Sequence, residues 1–336
     1  MYMFKYVMKR LGLMIMTFSV IMFMCFVLIK LLPITVTVQM GQDANVIIHQ
    51  LEGRGYIQNA VMDPATQTWS YDRVPIMTQL GIYLKKIFVN GDFGIGVNIP
   101  SYRGRPVLGV FLEKIPPTVL INVYATLIGV PIGLGLGILA ALKKNKWQDQ
   151  LINIIIILLI SMPSIVMGLI IQYFLCFRAG WFPTTMNSGY EYFTWSMFRS
   201  MMPPVLSLCL GSVAGYARFT RAELSEVLTN EFMLLARTKG LTRGQATLRH
   251  AMRNSMVVIF PSILSEFIGV LSGSLIIESM FSVPGVGRLY LDSINSLDYD
   301  FFMMLSGFYC LVALLGGIVI DISYGFIDPR IRMGAK

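Results

Sequence analysis

The fold is decided by a long apolar run and the short basic segment that follows it. Residues 118–142 read TVLINVYATLIGVPIGLGLGILAAL, and residues 143–146 read KKNK. About 20 consecutive apolar residues suffice for a helix to cross the hydrocarbon core of a bilayer. Short loops rich in Lys and Arg stay on the cytoplasmic side. This stretch therefore predicts a transmembrane helix that ends at the cytoplasm.

Apolar runs of the same kind recur along the chain, at 11–32, 151–177, 203–220, 256–278 and 303–327. With six crossings, every short basic loop falls on the same side of the membrane, as the positive-inside rule requires. Adding or removing one crossing would invert the later loops and break that rule. We therefore predict an all-α integral membrane protein with six transmembrane helices and both termini in the cytoplasm.

Composition agrees with this class. Of the 336 residues, 55% are hydrophobic and only 13% are charged, whereas a soluble domain carries about 25% charged residues. The net charge of +9 reflects the basic loops, and no basic stripe interleaved with aromatic residues suggests nucleic-acid binding. The four cysteines are far apart and His49 and His250 form no cluster, so we expect no metal site.

Polarity divides the chain into parts. We assign 1–32 to the N-terminal tail and first helix, 116–327 to the membrane core with a cytoplasmic loop at 221–254, and 328–336 to a cytoplasmic tail. The segment 33–115 follows the first crossing and is nearly neutral, with seven basic and six acidic residues. Because roughly 80 residues are too many for a bare loop, we expect a small external subdomain there.

Glycines and prolines predict local geometry within the helices. Glycines four residues apart occur in three of the predicted helices: Gly129, Gly133 and Gly137; Gly211 and Gly215; Gly269 and Gly273. Small residues at this spacing let helix backbones approach closely in lipid, so we expect packing faces. Pro131 and Pro163 predict kinks. Lys30, near the end of the first helix, is expected to extend to the membrane interface.

The loop 221–254 contains an amphipathic segment. Residues 231–241 read EFMLLARTKGL, and Phe232, Leu235 and Ala236 share one helical face at i, i+3, i+4 spacing. That face needs a partner, which is either the bilayer surface or the groove of a cytoplasmic protein. Both alternatives stay open on physical grounds alone.

The end of this segment has the chemistry of a helix terminus. Gly240 follows Arg237 and Lys239, which suits a left-handed glycine cap and cations at the negative end of the helix dipole. Thr242 is a candidate N-cap for the helix that follows. We therefore predict a helix that stops at Gly240 and a second one that starts after Thr242.

The order Glu231, Ala236, Gly240, Leu241, followed by Arg249-His250-Ala251, resembles the cytoplasmic EAA loop of ABC importer permeases. The segment lacks the usual Arg and Thr between Glu231 and Ala236. Four further stretches resemble the B-type permease subunit of oligopeptide and dipeptide importers: GDFG at 91–94, IESMFSVPGVG at 277–287, DY at 298–299 and DISYGFIDPRIR at 321–332. The resemblance runs from the first helix to the C-terminus and is weakest over 33–90.

The resemblance implies a type I ABC importer permease fold in the inner membrane, forming half of a pathway for peptides. The implied partners are a second homologous permease in a heterodimer, two ATPase subunits that bind ATP and Mg, and an external substrate-binding (lipo)protein. It assigns ATPase docking to Glu231, Phe232, Leu235, Ala236, Gly240 and Leu241. The chain has no GxxxxGK[ST] motif, so we expect no nucleotide, other cofactor or catalytic residue in it.

Several residues outside the loop are candidates for the pathway and its outer end. Glu266 lies mid-way in a predicted helix, where a carboxylate is costly, so it either faces the pathway or is paired inside the bundle. Glu278 is a second candidate, although its place near a helix end favours structural pairing. Pro284, Gly285 and Gly287 read as an external turn, a region that the resemblance places near the external gate and the docking site of the binding protein.

Other functions are weaker fits to the sequence. An intramembrane enzyme needs a nucleophile with a base, or a metal cluster, at membrane depth, and neither histidine lies within a predicted span. A channel or secondary transporter would leave the loop 221–254 without an ATPase partner. Related permeases carry nickel complexes or oligosaccharides, so these remain alternative cargoes.

Overall fold

The computed structural model describes residues 2–31, 44–62, 69–189 and 191–327. Within these ranges one antiparallel sheet pairs β1 (Ile57–Met62) with β2 (Trp69–Arg73). The α-helices are α1 (Tyr2–Leu31), α2 (Ala44–Gly53), α3 (Ile76–Asn90), α4 (Val107–Leu142), α5 (Trp147–Ser161), α6 (Ser164–Ile171), α7 (Trp195–Val227), α8 (Glu231–Thr238), α9 (Arg243–Ala246), α10 (Met252–Gly269), α11 (Leu275–Met280), α12 (Val286–Asn295) and α13 (Tyr299–Ile327). The predicted tail 328–336 lies outside the described residues.

Six stretches of the described chain have the length and apolar character of membrane spans. Five are Val7–Leu31, Val107–Leu142, Trp195–Val227, Gly244–Met280 and Tyr299–Gly325. The sixth is a bent pair, Trp147–Ser161 with Ser164–Arg178, whose halves meet at 105°. Counted as one span, the bent pair completes the six predicted crossings.

The prolines act differently in the two helices where kinks are predicted. Pro163 separates α5 from α6 at the 105° bend, because proline cannot supply the N–H that would continue the helical ladder. Pro131 lies inside α4, which continues through it to Leu142. Helix α4 also begins at Val107, inside the predicted external segment 33–115, and carries the span beyond its apolar core.

The chain forms two compact units, Met1–Glu113 with Leu289–Leu311, and Lys114–Arg288 with Val312–Lys336. In the first unit, α2 and the β1–β2 hairpin enclose a small apolar core: Ile48, Leu51, Tyr56, Ile57 and Val97. A second cluster joins the end of α1 to the start of α13: Phe26, Ile29, Tyr299 and Met303. The described part of the segment 33–115 thus has a core of its own.

Two buried aspartates accept hydrogen bonds from other parts of the first unit. Asp298 accepts hydrogen bonds from the backbone N–H groups of Val97, Asn98 and Ile99 at 2.8, 2.8 and 3.3 Å. Burial raises the pKa of the Asp298 carboxyl, and these N–H groups oppose the rise. Asp300 forms an ion pair with Arg54 and accepts a hydrogen bond from the Tyr56 hydroxyl. The carboxylates therefore hold loop segments of this unit in place.

Lys30, near the end of α1, lies inside the first unit rather than extending freely from the helix. It is only 6% exposed, and its Nζ lies 3.2 Å from the ring centroid of Tyr56 and 4.5 Å from that of Tyr299. The negative faces of aromatic rings attract a cation. The two rings nearest to the Lys30 ammonium therefore come from residues that lie far from it in the sequence.

In the second unit, the glycines of α4 form a packing face against α7, as predicted. A Cβ atom added at Gly129 would lie 2.9 Å from the Ser212 Cβ, and one at Gly133 would lie 2.8 Å from the Tyr216 Cβ. At Gly137 the Thr220 Cβ would be 2.6 Å away. These helices can approach each other this closely only because the side chains are missing.

The glycines of α7 and α10 differ from those of α4. A Cβ atom at Gly211, Gly215 or Gly269 would meet no atom of the described chain within 4 Å. Gly273 has a φ of +66° at the break before α11, a conformation that favours glycine. Gly273 is closely packed, because a Cβ atom there would lie 2.7 Å from the Thr118 Cγ2. The other three glycines border open space, so their predicted packing is not formed within the described chain.

We expect Gly133→Ala to destabilise the protein by about 1–3 kcal/mol, because the added methyl overlaps the α7 backbone and side chains. Gly135 is the matched control on the same helix, since a Cβ atom there meets nothing within 4 Å. Gly135→Ala should be neutral or slightly stabilising. Thermal unfolding of the purified variants in one detergent measures both. Equal midpoints for the two variants would contradict a packing role for Gly133.

Candidate functional site

Helix α8 packs one side against its own unit. It begins at Glu231, whose carboxylate suits the positive end of the helix dipole. Met233 and Ala236 are buried in an apolar cluster, and Phe232 and Leu241 are partly buried against it. The other buried members of this cluster are Ala141, Leu224, Ala246 and Ala251. The inward side of α8 therefore anchors the loop 221–254 to the helices around it.

The opposite side of α8 is exposed and carries two leucines. Leu234 and Leu235 are 65% and 57% exposed, although leucine is usually buried. The sequence groups Leu235 and Ala236 on one helical face. In the structure the two residues differ, because Ala236 lies in the buried cluster while Leu235 lies outside it. The exposed pair Leu234 and Leu235 is the apolar part of α8 that a partner can contact.

The ends of the helices in this loop match the predicted chemistry. Gly240 has a φ of +89°, and its N–H donates to the Arg237 carbonyl at 3.0 Å. The Gln245 N–H donates to the Thr242 hydroxyl at 3.3 Å, and the Thr242 N–H donates to the Gln245 side chain at 3.1 Å. This reciprocal pair is a capping box. The glycine stop and the Thr242 cap are both confirmed.

An ion pair fixes the end of α7 just before it leads into α8. Asp149, 2% exposed at the start of α5, accepts hydrogen bonds from Nε and Nη2 of Arg221 at 2.6 and 2.9 Å. The Asn145 N–H and the Asn153 side chain each donate to it at 2.9 Å. Two parallel bonds from one guanidinium define the relative orientation of both groups. Helices α5 and α7 are therefore held in register at this point.

A cavity of about 650 Å³ lies between α4, α7 and α10. Its lining is small or polar along most of its length: Asn122, Thr126, Gly211, Ser212, Gly215, Tyr216, Phe219, Ser262, Ser265, Glu266, Gly269 and Val270. The three glycines with open space around them are part of this lining. Polar side chains at membrane depth are costly against lipid and normally face water or protein. This wall of the second unit is therefore unsuited to contact with hydrocarbon.

Glu266 lies in the wall of this cavity. It receives a hydrogen bond from the Ser212 hydroxyl, and next to it the Tyr216 hydroxyl donates to the Ser262 carbonyl at 2.9 Å. Within the described residues, no Lys, Arg or His belongs to the lining. The structure thus places Glu266 beside open space.

Glu278 occupies a different position from the one predicted on a pathway. It is fully buried and is absent from the cavity lining. Its carboxylate accepts hydrogen bonds from the Thr118 hydroxyl at 3.0 Å and from the backbone N–H groups of Gly287 and Arg288 at 2.8 and 3.2 Å. A carboxylate whose oxygens are occupied in this way has a structural role. Of the two alternatives for Glu278, structural pairing is the one that agrees with these hydrogen bonds.

The turn at 284–287 is built around this carboxylate. A Cβ atom at Gly285 would overlap the Glu278 carboxylate, and one at Gly287 would approach it to 3.0 Å. The Val286 N–H donates to the Thr118 hydroxyl at 2.8 Å. Gly285 and Gly287 are buried and Pro284 is half-buried. The glycines therefore serve the close approach of the turn to Glu278, and Pro284 remains a candidate contact residue.

We expect Glu278→Gln to loosen this turn, because an amide offers one acceptor oxygen and directs an NH2 group at N–H donors. Leaving such a buried group unsatisfied costs about 1–3 kcal/mol. Thermal unfolding and the rate of tryptic cleavage after Arg288 measure the effect. Ser279→Ala, at an exposed position on the same helix, is the control. Unchanged cleavage in Glu278→Gln would exclude a supporting role for this carboxylate.

Sequence reasoning identified Glu266 and missed the polar residues around it. Asn122, Thr126 and Ser212 are isolated polar residues within otherwise apolar runs, and isolated polar residues in a span are a signal of function. Only their distances in the folded chain show that they surround one cavity.

The chain matches one protein family and several named permeases. Residues 133–333 match the family model for the binding-protein-dependent transport system inner membrane component. The chain is 30% identical over 331 residues to the dipeptide transport system permease protein DppB of Lactococcus lactis subsp. cremoris, covering 98% of this chain and 100% of the relative. It is 31% identical over 333 residues to the protein of the same name from Bacillus subtilis, covering 99% of both. Identity to the glutathione transport system permease protein GsiC of Escherichia coli K12 is 29% over 331 residues, covering 98% of this chain and 99% of that protein.

Solved structures show the same fold at low identity. An amino acid ABC transporter crystallised with histidines superposes with a TM-score of 0.51 at 20% identity, covering 65% of this chain and 94% of that one. An inward-facing MetNI methionine ABC transporter gives a TM-score of 0.51 at 15% identity, covering 66% and 97%. Together with the family match, these likenesses establish a type I permease fold. The chain belongs to the family of binding-protein-dependent transport system inner membrane components, as the multi-pass permease subunit of an ABC importer.

Proposed function

We propose that this chain forms half of the translocation pathway of an ATP-driven importer of short peptides, paired with a second, homologous permease. The observation that carries the proposal is the cavity of about 650 Å³ with Glu266 in its wall. A wall with a carboxylate and several hydroxyls has to face water, cargo or another protein at membrane depth. A second permease closing over this wall would turn it into a pathway.

The relatives support peptides as the cargo. Two of them are named as dipeptide permeases and a third as a glutathione permease, and glutathione is itself a tripeptide. Nickel complexes and oligosaccharides remain the alternative cargoes, but no relative reported above carries such a name. A substrate-binding (lipo)protein on the external side would deliver the peptide, and the half-buried Pro284 is a candidate for contact with it.

The exposed pair Leu234 and Leu235 supports a docking role for α8. In this proposal, each of two cytoplasmic ATPase subunits binds ATP and Mg and receives such a helix in a groove, a common mode of helix recognition. ATP binding closes the ATPase pair and thereby favours one state of the permease pair over the other. This chain would hydrolyse nothing and bind no cofactor, and both of its termini would lie in the cytoplasm.

Leu235→Asp should uncouple the transporter, because it places a charge in the contact between α8 and the ATPase. We expect at least a tenfold loss of peptide uptake together with loss of ATPase subunits from the purified complex, while the permease stays in the membrane. The control is Leu235→Met at the same position, since this conservative change keeps an apolar contact. Co-purification and uptake are measured on both variants. Full ATPase retention in Leu235→Asp would refute docking through this side of α8.

Gly215→Leu should block uptake by filling the cavity. A Cβ atom at Gly215 meets no atom within 4 Å, so the variant should fold and assemble normally. Gly135→Leu is the matched control, because it also adds a leucine side chain at a glycine with open surroundings but lies outside the cavity lining. Uptake of labelled dipeptide into proteoliposomes should fall at least tenfold only for Gly215→Leu. Equal uptake by the two variants would remove this cavity from the pathway.

A further inference from the structure

We propose that the cavity selects cargo carrying a free amino group, and that Glu266 is the residue that binds the α-ammonium of the peptide. This inference rests on the proposed function and names the chemistry by which the pathway recognises its substrate. Its basis is charge, because Glu266 is the one carboxylate, and the only formally charged residue, among the lining residues described.

The carboxylate has room for a further partner. The Ser212 hydroxyl occupies Oε1, and in the described part of the chain no hydrogen bond reaches Oε2. This arrangement contrasts with Glu278, whose oxygens accept from the Thr118 hydroxyl and from backbone N–H groups. Glu266 is only partly buried, so its second oxygen stays accessible from the cavity. A donor that enters the cavity from outside the chain can therefore reach it.

The surroundings of Glu266 suit an ammonium group. Ser262, Ser265 and Glu266 follow one another at i, i+3, i+4 spacing on α10, so their side chains share one helical face. An ammonium has three donors and no acceptor, and a carboxylate with hydroxyl oxygens beside it supplies matching acceptors. The attraction is also stronger here than in bulk water, because the effective dielectric constant near protein is lower.

The volume of the cavity and the residues of its lining also suit a short peptide held by its amino end. A volume of about 650 Å³ lies within the range of small-ligand sites, which is about 300–1,000 Å³, so a dipeptide fits. Among the described lining residues there is no Lys, Arg or His that would hold the peptide carboxylate. This chain therefore recognises the amino end of the cargo and leaves the carboxyl end to other surfaces.

Equilibrium binding to the assembled permease–ATPase complex in nanodiscs, without the binding protein, tests this inference. The probes are radiolabelled dialanine and N-acetyl-dialanine, which differ in the ammonium group. We expect wild type to prefer dialanine, and Glu266→Gln to weaken dialanine binding about tenfold, the scale expected for a hydrogen bond to a charged group. Binding of the acetylated peptide should stay the same, and Glu266→Asp should retain most of the preference.

A merely structural role for Glu266 would change the binding of both peptides alike, and that result would overturn the inference. Equal affinity of the wild type for the two peptides, or no measurable binding of dialanine to it, would also overturn it. Uptake of dialanine by the same complex, measured in parallel with the binding protein present, separates the two claims. If the wild type imports dialanine while Glu266 proves neutral, only the ammonium site fails. If dialanine is not imported at all, the proposed peptide transport fails.

Discussion

A carboxylate removed from bulk water has to find its partners within the protein or in a water-filled space, and three carboxylates of the second unit meet this constraint in three ways. Asp149 is paired with the guanidinium of Arg221. Glu278 is surrounded by the Thr118 hydroxyl and by backbone N–H groups. Glu266 has the Ser212 hydroxyl and open space. The degree of pairing separates Asp149 and Glu278, whose oxygens are occupied, from Glu266, to which the proposed ligand would bind.

Glycines at the same spacing have different surroundings on two helices. Gly129, Gly133 and Gly137 of α4 lie against α7, where each missing side chain permits close contact between backbones. Gly211 and Gly215 have the same spacing on α7 but face open space in the cavity. One helix thus receives the glycine face of α4 on one side and presents its own glycines on another. Close packing on the first side holds α7 in position, and the absence of side chains on the second side leaves open space in the cavity, where the proposed cargo would pass.

Features that depend on local chemistry were predictable from the sequence. Membrane spans follow from runs of apolar residues, the 105° bend from Pro163, and the helix termini from Gly240 and Thr242. These results need only the residues next to one another in the chain. The polarity of the cavity wall was partly visible too, since Glu266 is anomalous in an apolar run.

Features that depend on distant residues were not predictable. Lys30 lies against Tyr56 and Tyr299, which are remote in sequence, so these contacts cannot be inferred from the residues around Lys30. The position of Glu278 near a helix end favoured structural pairing, but its partners, Thr118 and the turn at 284–287, are visible only in the folded chain. The same limit applies to α8, where helical spacing groups Leu235 with Ala236 and only the packing of Leu224 and Met233 separates the two.

The continuity of α7 gives the proposed coupling a physical path. Gly215 at the cavity and Arg221 at the ion pair are six residues apart on one unbroken helix, a rise of about 9 Å at 1.5 Å per residue. After α7 ends, the chain reaches α8 through a tight turn in which the Thr229 and Asn230 N–H groups donate to the carbonyls of Glu226 and Val227. A turn bonded in this way has little freedom to absorb movement. Force applied to the exposed side of α8 is therefore passed to α7, and Arg221 shares it with α5 through Asp149. If α8 is the docking helix, as proposed, the cavity wall and α8 would move as parts of one body, which is what coupling to an external ATPase requires.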